Sequence, residues 1–284
     1  MFTKSFWNEF ASIYDYPALD KDIKVDVAII GAGVTGISTA TLLARVGYTV
    51  AVLESLKVGG GTSSHSTGNL YFTVDKNLGH LHDKYDKETI LNLVKSRAAA
   101  LDQMETWVKE FSLDCDFNRQ PWYLYSGSEV NDKLIDDEFK YAQEAGVSIK
   151  WAEKSDFPLN VSKAVKVDGQ AQLNPMRYVQ ELTKSVASDK LQIYECTRVT
   201  DVDEDDGQVT IKTTGGTVRA KYAVHATHIP KGVMAVQAAL SMYREYGVAF
   251  RTEHIDFPPG IFWGYHGEAN KYSSRLYQRG GKNM

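Results

Sequence analysis

A glycine-rich hexapeptide between two hydrophobic segments constrains the fold of this chain more than any other feature. Residues 25–30 predict a buried strand, and residues 31–36 (Gly-Ala-Gly-Val-Thr-Gly) predict a tight turn. Residues 37–46 predict a helix that Gly47 ends, and residues 48–54, rich in β-branched side chains, predict a second strand. The sequence therefore predicts a βαβ unit of about 30 residues whose parallel strands are buried on both faces.

The hexapeptide fits the pattern G-x-G-x-x-G, in which each glycine has a separate physical role. Gly31 permits the turn, Gly33 lets the backbone approach a pyrophosphate, and Gly36 lets the helix pack closely on the sheet. The helix N-terminus offers N–H groups and a partial positive charge to phosphates. Glu54 ends the second strand, where a carboxylate can accept hydrogen bonds from both ribose hydroxyls and repel a 2′-phosphate. The pattern predicts a dinucleotide site; a structural glycine turn beside an incidental glutamate is the alternative.

The rest of the chain predicts further helices and short strands. The first 24 or so residues, aromatic and polar, predict an arm that packs on the body of the protein. Helices are predicted over residues 87–111, 131–145 and 176–187, and a strand pair over 117–125. Strands are predicted over 191–199, 208–213 and 217–226, with an acidic turn at 203–207, and the remainder is rich in strands and aromatic residues.

Composition excludes several classes of protein. The net charge of −4 comes without a basic stripe that could neutralise phosphates, so nucleic acid is not an expected partner. The apolar runs are strand-sized, too short for a membrane span, and the acidic N-terminus does not fit a signal peptide. Two cysteines, Cys115 and Cys196, are too few for a disulfide framework or a zinc cluster, and they predict a cytoplasmic setting. His80 and His82 lack a third ligand nearby, so we predict a solvated loop there and no metal site.

The glycine motif, residues 52–54 and residues 59–67 together resemble the D-amino-acid-oxidase-like family of FAD-dependent oxidoreductases. The similarity is greatest to the branch that contains gamma-glutamylputrescine oxidoreductases and enzymes with a C-terminal Rieske domain. The resemblance implies an α/β fold: a Rossmann-like FAD-binding domain of the glutathione-reductase type with an inserted α+β substrate domain built on an antiparallel sheet. The implied boundaries are 1–111 and 165–232 for the FAD-binding domain, and 112–164 and 233–284 for the substrate domain.

The resemblance also implies which residues bind FAD. In that family the segment after the second strand crosses the pyrophosphate and the ribityl chain, a task that the small hydroxyl side chains of residues 61–67 suit. Asn174-Pro175 resembles the family's proline-led helix, and Val199 occupies the position whose main chain contacts the adenine. Residues 224–228 resemble a segment near the pyrophosphate, although His228 replaces the usual glycine. The implied FAD-binding residues are Gly31, Gly33, Val34, Thr35, Gly36, Glu54, Gly61, Thr62, Ser63, His65, Ser66, Thr67, Val199, Ala226 and Thr227.

The family transfers a hydride from a C–N bond to flavin N5, so the resemblance implies a small amine or amino-acid substrate. The electron acceptor stays open between oxygen, a quinone and a Rieske-type centre. The flavin carries out this chemistry, so no catalytic triad or acid–base dyad is required, and the sequence indicates none. Arg275 is the preferred substrate-binding candidate, because a cation could hold a substrate carboxylate. The weaker candidates, for which ordinary packing is the more typical role, are Arg119, Tyr123, Tyr125, Tyr243 and Tyr265.

Members of the family continue beyond the position of Met284 through a strand, a loop and a long helix. The resemblance therefore implies a truncated or frame-shifted chain, or a partner that supplies the missing elements. Two other functions stay open. One is a catalytically silent nucleotide-binding remnant; the other is an NAD-dependent dehydrogenase, which would need two further βα units after Glu54.

Overall fold

The computed structural model describes residues 5–12, 14–74, 77–153, 156–157, 160–229, 238–240, 246–250, 258–267, 270–279 and 282–283. The chain divides into two compact units. The first comprises Met1–Thr67, Glu110–Cys115 and Asn174–Gly247, and the second comprises Gly68–Lys109, Asp116–Leu173 and Val248–Met284.

The helices and strands of the described residues are numbered in chain order. The helices are α1 (Val34–Arg45), α2 (Asn77–His82), α3 (Lys87–Glu110), α4 (Asp132–Glu144) and α5 (Pro175–Val186), with 3-10 helices at Phe6–Phe10, Thr62–His65 and Glu129–Asn131. The strands are β1 (Ile23–Lys24), β2 (Val27–Ile30), β3 (Val50–Leu53), β4 (Asn69–Leu70), β5 (Asn118–Ser126), β6 (Ile149–Trp151), β7 (Lys163–Gln172), β8 (Leu191–Tyr194), β9 (Val199–Asp205), β10 (Gln208–Thr213), β11 (Thr217–Ala220), β12 (Tyr222–His225), β13 (Ile261–His266), β14 (Asn270–Arg275), β15 (Gln278–Arg279) and β16 (Lys282–Asn283).

The first unit contains a parallel sheet of four strands in the order β12-β2-β3-β8. Every residue of β2 and β3 is buried, as continuous runs of valine, alanine, isoleucine and leucine require in a sheet covered on both faces. Helix α1 joins these two strands, so the predicted βαβ unit is confirmed. The helix begins at Val34 rather than at residue 37, and both strands are shorter than predicted.

A second sheet in the first unit corrects three sequence predictions. Its strand order is β1-β11-β10-β9. The predicted strand 191–199 is two strands, because Cys196 has a φ of +48° and interrupts the extended backbone between β8 and β9. The predicted strand 217–226 is also two strands, of which β11 pairs with β10 and β12 with β2. The turn between β9 and β10 is confined to Asp206 and Gly207, both with positive φ, so residues 203–205 lie in β9.

The second unit is built on a six-stranded sheet in the order β14-β13-β5-β7-β4, with β6 also paired to β7. All pairs are antiparallel except β13 with β5, so the predicted antiparallel sheet is in fact mixed. Trp122 and Leu124 of β5 pack in one core cluster with residues of α3 and α4, while Tyr123 and Tyr125 pack on the opposite face. The predicted strand pair at 117–125 is a single strand, whose register shifts where Pro121 cannot donate to the ladder.

The position of α3 also corrects the predicted domain boundaries. Ile90 and Val94 of α3 lie in the core cluster that contains Trp122, so residues 68–109 belong to the second unit rather than to the first. Strand β7 extends the second unit to Leu173, beyond the predicted boundary at 165. His80 and His82 lie on α2, not in a loop. None of the described helices combines the length and the apolar character that crossing a bilayer requires.

Candidate functional site

Two of the three motif glycines are required by the packing of the protein itself. Gly31 has a φ of +107°, and a Cβ on this residue would lie 2.6 Å from the carbonyl oxygen of Ala226. A Cβ on Gly36 would overlap the carbonyl oxygen of Gly31. The turn between β2 and α1 therefore cannot close with any other residue at these two positions.

Gly33 differs from the other two glycines of the motif, Gly31 and Gly36. Its φ of −81° and ψ of −175° are ordinary extended values that any residue adopts. Within 4 Å, a Cβ here would meet only the Ser63 hydroxyl oxygen, at 3.0 Å. The backbone conformation does not require a glycine, and among the described residues a Cβ would crowd only the Ser63 hydroxyl, which would have to shift by a few tenths of an ångström. A glycine at 33 avoids this contact and lets a ligand approach the backbone closely. The turn thus fits the pyrophosphate of a dinucleotide.

The N-terminus of α1 faces this space with its backbone donors. The first turn of the helix contains no acidic side chain, and the N–H of Val34 donates to the Ser63 hydroxyl at 3.0 Å. The N–H groups of Thr35 and Gly36 have no acceptor within the helix, because no preceding turn exists. These donors and the helix dipole make the site favourable for an anion.

Glu54 follows β3 directly and its carboxylate lies against the glycine turn. One carboxylate oxygen accepts a hydrogen bond from the N–H of Ala32 at 2.9 Å, and the other accepts from the N–H of Leu56 at 2.8 Å. The side chain is half-buried. The predicted acidic residue and the predicted glycine turn are therefore in direct contact, the arrangement that a nucleotide with adjacent ribose and phosphate groups needs.

The hydroxyl-rich segment also returns to the turn. The N–H of Gly59, a residue with a φ of +73°, donates to the carbonyl oxygen of Ala32 at 3.0 Å. Ser63 contacts the start of α1 through its hydroxyl, as described above. The remaining predicted residues of this segment are all exposed: Gly61, Thr62, His65, Ser66 and Thr67. Gly59 was not among the predicted site residues, although the run of three glycines at 59–61 was a signal for it.

Of the predicted site residues later in the chain, Ala226 contacts the glycine turn, whereas Val199 packs in the core of another sheet. The N–H of Ala226 donates to the carbonyl oxygen of Ile30 at 2.9 Å, and Ala226 covers Gly31, so this residue contacts the turn. Thr227 follows it and donates its hydroxyl to Ile229. The next residue, His228, has a φ of +65°, so the backbone keeps the left-handed conformation that glycine favours although the side chain is histidine. Val199 begins β9, with its side chain packed in the core of the second sheet of the first unit.

The substrate candidates lie in the second unit. Arg275, on β14, donates to the carbonyl oxygen of Leu173 at 3.3 Å, and burial lowers its pKa to about 10, which leaves the guanidinium charged at neutral pH. Arg119 forms ion pairs with Asp102 and Glu105 of α3, which is a structural role.

The aromatic candidates have packing partners within the same unit. Tyr123 stacks on Phe262 with ring centroids 4.7 Å apart, and Tyr125 packs against Phe157. The hydroxyl of Tyr265 accepts a hydrogen bond from the Asn77 amide at 2.7 Å. Tyr243 lies outside the described residues. The contacts of Tyr123, Tyr125 and Tyr265 are those of ordinary packed residues.

Comparisons with known proteins agree with this geometry. The family model described as DAO, FAD dependent oxidoreductase, matches residues 26–277. A Bacillus subtilis (strain 168) protein named for a Rieske 2Fe-2S iron–sulfur centre is 26% identical over 265 residues, which cover 91% of this chain and 51% of that protein. The gamma-glutamylputrescine oxidoreductase of Escherichia coli (strain K12) is 21% identical over 230 residues, 79% of this chain and 54% of the enzyme. The chain thus spans about half the length of the curated relatives it matches.

Solved structures show the same fold. The glycine oxidase of Geobacillus kaustophilus superimposes with a TM-score of 0.68 at 19% identity, over 91% of this chain and 75% of that one. The L-proline dehydrogenase of P. horikoshii gives a TM-score of 0.66 at 15% identity, over 94% and 69% of the two chains. The predicted α/β fold is therefore confirmed.

Proposed function

The chain belongs to the DAO family of FAD-dependent oxidoreductases, and from that premise we propose that the first unit binds FAD across its glycine turn and that the protein oxidises a C–N bond of an amine or amino acid. The names of the relatives support this substrate class, since they include a gamma-glutamylputrescine oxidoreductase and glycine oxidases. In this proposal the first unit is a Rossmann-like FAD-binding domain and the second unit is the substrate domain.

The glycine at 33 is the observation that carries the proposed cofactor site, because among the described residues its Cβ position is crowded by the Ser63 hydroxyl and by no backbone atom. Backbone packing accounts for Gly31 and Gly36, and a pyrophosphate close to the backbone would account for a glycine at 33. We assign the pyrophosphate to the N–H groups at the start of α1 and to Ser63, and the adenosine ribose to Glu54. The further residues that we propose at the cofactor are Gly31, Val34, Thr35, Gly36, Gly61, Thr62, His65, Ser66, Thr67, Val199, Ala226 and Thr227.

When bound, FAD supplies the chemistry by accepting a hydride at N5 of its flavin ring. The residues of this chain bind and orient. The N–H groups of Thr35 and Gly36 and the hydroxyl of Ser63 would hold the phosphates, and the Glu54 carboxylate would hold the ribose. Arg275 is the proposed partner of a substrate carboxylate, because it is a half-buried cation that stays protonated at neutral pH.

The proposal extends to the cellular setting of the protein and to its electron acceptor. We place the protein in the cytoplasm, a setting that suits a chain with two cysteines, Cys115 and Cys196, that are not joined in a disulfide. The relative named for a Rieske centre favours a Rieske-type acceptor over oxygen or a quinone.

Anaerobic reduction of the flavin tests the proposal. The purified protein is loaded with FAD, and amines and amino acids are added one at a time while the flavin absorbance is followed. We expect an amine or amino acid to bleach the flavin, and oxygen, a quinone or a Rieske-type ferredoxin, supplied separately, to restore the colour. Gly33→Val is the matched control without a bound cofactor. Stabilisation of the protein by NAD but not by FAD would contradict the proposal.

A further inference from the structure

The N-terminal arm, defined as residues 5–12 and 14–19, contacts the loop at residues 62–67, which belongs to the proposed cofactor site. Its 3-10 helix Phe6–Phe10 buries Trp7, which is 6% exposed. The Ser5 hydroxyl accepts a hydrogen bond from the N–H of Trp7 and so caps this short helix. The predicted arm packed on the body of the protein is confirmed, and the structure shows where its first residues bind.

Two carbonyl groups of the cofactor loop, defined as residues 62–67, accept hydrogen bonds from the arm. The indole N–H of Trp7 donates to the carbonyl oxygen of Ser66 at 2.8 Å. The hydroxyl of Ser5 donates to the carbonyl oxygen of Ser64, which is itself buried. Ser63, between these two contacts, accepts the N–H of Val34 at the start of α1. The arm is therefore linked through the loop to the helix terminus proposed to bind pyrophosphate.

The rest of the arm is fixed by contacts that do not involve the loop. The N–H of Ser12 donates to the Gln180 side chain at 2.9 Å, and the Ser12 hydroxyl donates to Glu181 at 2.6 Å, both on α5. The N–H of Tyr16 donates to Glu195, a carboxylate that is 1% exposed and also accepts from the N–H of Val58. Because the arm has these anchors of its own, it can impose a position on the loop.

The composition of the loop makes such an external support necessary. Its sequence, Thr-Ser-Ser-His-Ser-Thr, contains no large apolar side chain, and four of its six residues are exposed. Ordering a residue costs about 1–2 kcal/mol of backbone entropy, and hydrophobic burial does not offset that cost here. A loop that is ordered before the ligand arrives binds it more tightly, because binding no longer has to fix the loop.

We propose that Trp7 and Ser5 are positioning residues, and that the N-terminal arm is a strap that holds the cofactor loop in the conformation that receives the pyrophosphate of FAD. This inference rests on the proposed function of the site. It makes the affinity for FAD depend on hydrogen bonds between the arm and the loop rather than on direct contact of the arm with the cofactor.

Trp7→Phe is the informative variant, because it keeps a buried aromatic ring and removes the N–H that holds Ser66. Ser12→Ala is the matched control, since it removes a hydrogen bond between the arm and α5 and leaves both contacts with the loop. In the protein without cofactor we expect amide hydrogens of residues 62–67 to exchange about five- to tenfold faster in Trp7→Phe, with α5 unchanged. We expect FAD to bind about five- to tenfold more weakly to Trp7→Phe and within about twofold of wild type to Ser12→Ala.

Amide exchange in the loop and affinity for FAD together distinguish a failure of the strap proposal from a failure of the proposed cofactor site. If the amide hydrogens of residues 62–67 exchange at the wild-type rate in Trp7→Phe, and this variant binds FAD with wild-type affinity, the strap is refuted while the cofactor site stands. If Ser12→Ala weakens FAD binding as much as Trp7→Phe while its amides at residues 62–67 exchange like those of the wild type, the arm does not act through the loop and the strap is equally refuted. If the wild-type chain takes up no FAD, the proposed function falls and this inference with it. Ser5→Ala repeats the test through the Ser64 carbonyl if Trp7→Phe does not fold.

Discussion

Gly33→Val separates the two explanations of the glycine motif, structural turn and ligand site. If the motif were only a turn, all three glycines would be there for packing, and replacing any of them would damage the fold. The structure distinguishes them: a Cβ on Gly36 overlaps the Gly31 carbonyl, whereas a Cβ on Gly33 meets only a serine hydroxyl. We therefore expect Gly33→Val to give a folded protein that does not hold FAD, and Gly36→Val to give a protein that does not fold.

The magnitudes follow from the contacts at the start of α1. Gly33 is the residue that caps the helix, and replacing glycine by an apolar residue at such a position costs about 0.5–1.5 kcal/mol of stability. The valine side chain would keep the pyrophosphate away from the N–H groups of Thr35 and Gly36, which have no acceptor within the helix. Hydrogen bonds to a charged acceptor contribute about 1.5–3 kcal/mol each, so losing two costs about 3–6 kcal/mol. That corresponds to FAD binding roughly 10²- to 10⁴-fold more weakly.

Urea unfolding and FAD titration measure the two quantities separately. Unfolding followed by circular dichroism, without cofactor, gives the stability of wild type, Gly33→Val and Gly36→Val. Quenching of flavin fluorescence gives the dissociation constant for FAD. Gly247→Val is a control for the added side chain, because none of the described residues has an atom within 4 Å of the Cβ position at 247, outside the proposed site. A folded Gly33→Val protein that binds FAD within threefold of wild type would refute the placement of the pyrophosphate.

Three further substitutions test other parts of the structure. Glu54→Ala should weaken FAD binding by about 1.5–3 kcal/mol in a titration, and an unchanged dissociation constant would remove Glu54 from the ribose. Burial raises the pKa of Glu138 to about 7 from an ordinary value near 4.5, so an unfolded chain loses this proton at lower pH than the folded one. The free energy of unfolding should therefore fall by roughly 3 kcal/mol as pH rises between these two values, and Glu138→Gln should abolish that part of the pH dependence. Urea unfolding of the wild type and the variant at about pH 5 and about pH 8 measures the difference. An equal loss of stability in both proteins would contradict the assignment. His228→Gly should raise the free energy of unfolding by about 0.5–1 kcal/mol, because it relieves a left-handed histidine, and a less stable variant in the same assay would show that the histidine side chain contributes contacts.

The parts of the fold that local patterns determine could be predicted. Strands β2 and β3 are continuous apolar runs on either side of a helix, and their burial follows from composition alone. Helices α3, α4 and α5 lie within one or two residues of their predicted bounds, because their apolar side chains repeat at helical spacing over three turns or more. Contact between Glu54 and the glycine turn follows from the parallel pairing of the two strands that carry them.

Elements that distant residues stabilise could not be predicted. Helix α2 has only six residues, including a glycine, and local propensity does not favour it. Its first N–H groups, those of Leu78 and Gly79, donate to the buried carboxylate of Glu138, about 60 positions along the chain. Strand β7 was missed for a similar reason. It carries Lys166, Asp168 and Gly169 in its interior, and its pairing with β5 determines its conformation.

The glycine motif shows why a sequence pattern can indicate a ligand without indicating its full site. At Gly31 and Gly36 a Cβ would overlap a backbone carbonyl oxygen of the protein itself, so glycine would be needed there even in a turn that binds nothing. Of the three motif glycines, Gly33 is the one that backbone packing does not require, and a pyrophosphate close to the backbone would explain it. At residue 228 the relation is reversed, because the backbone has the conformation of a glycine and the residue is histidine. A histidine adopts this left-handed φ at some cost in energy. A search for glycine letters therefore detects position 33 and misses position 228, two residues after Ala226, which contacts Gly31.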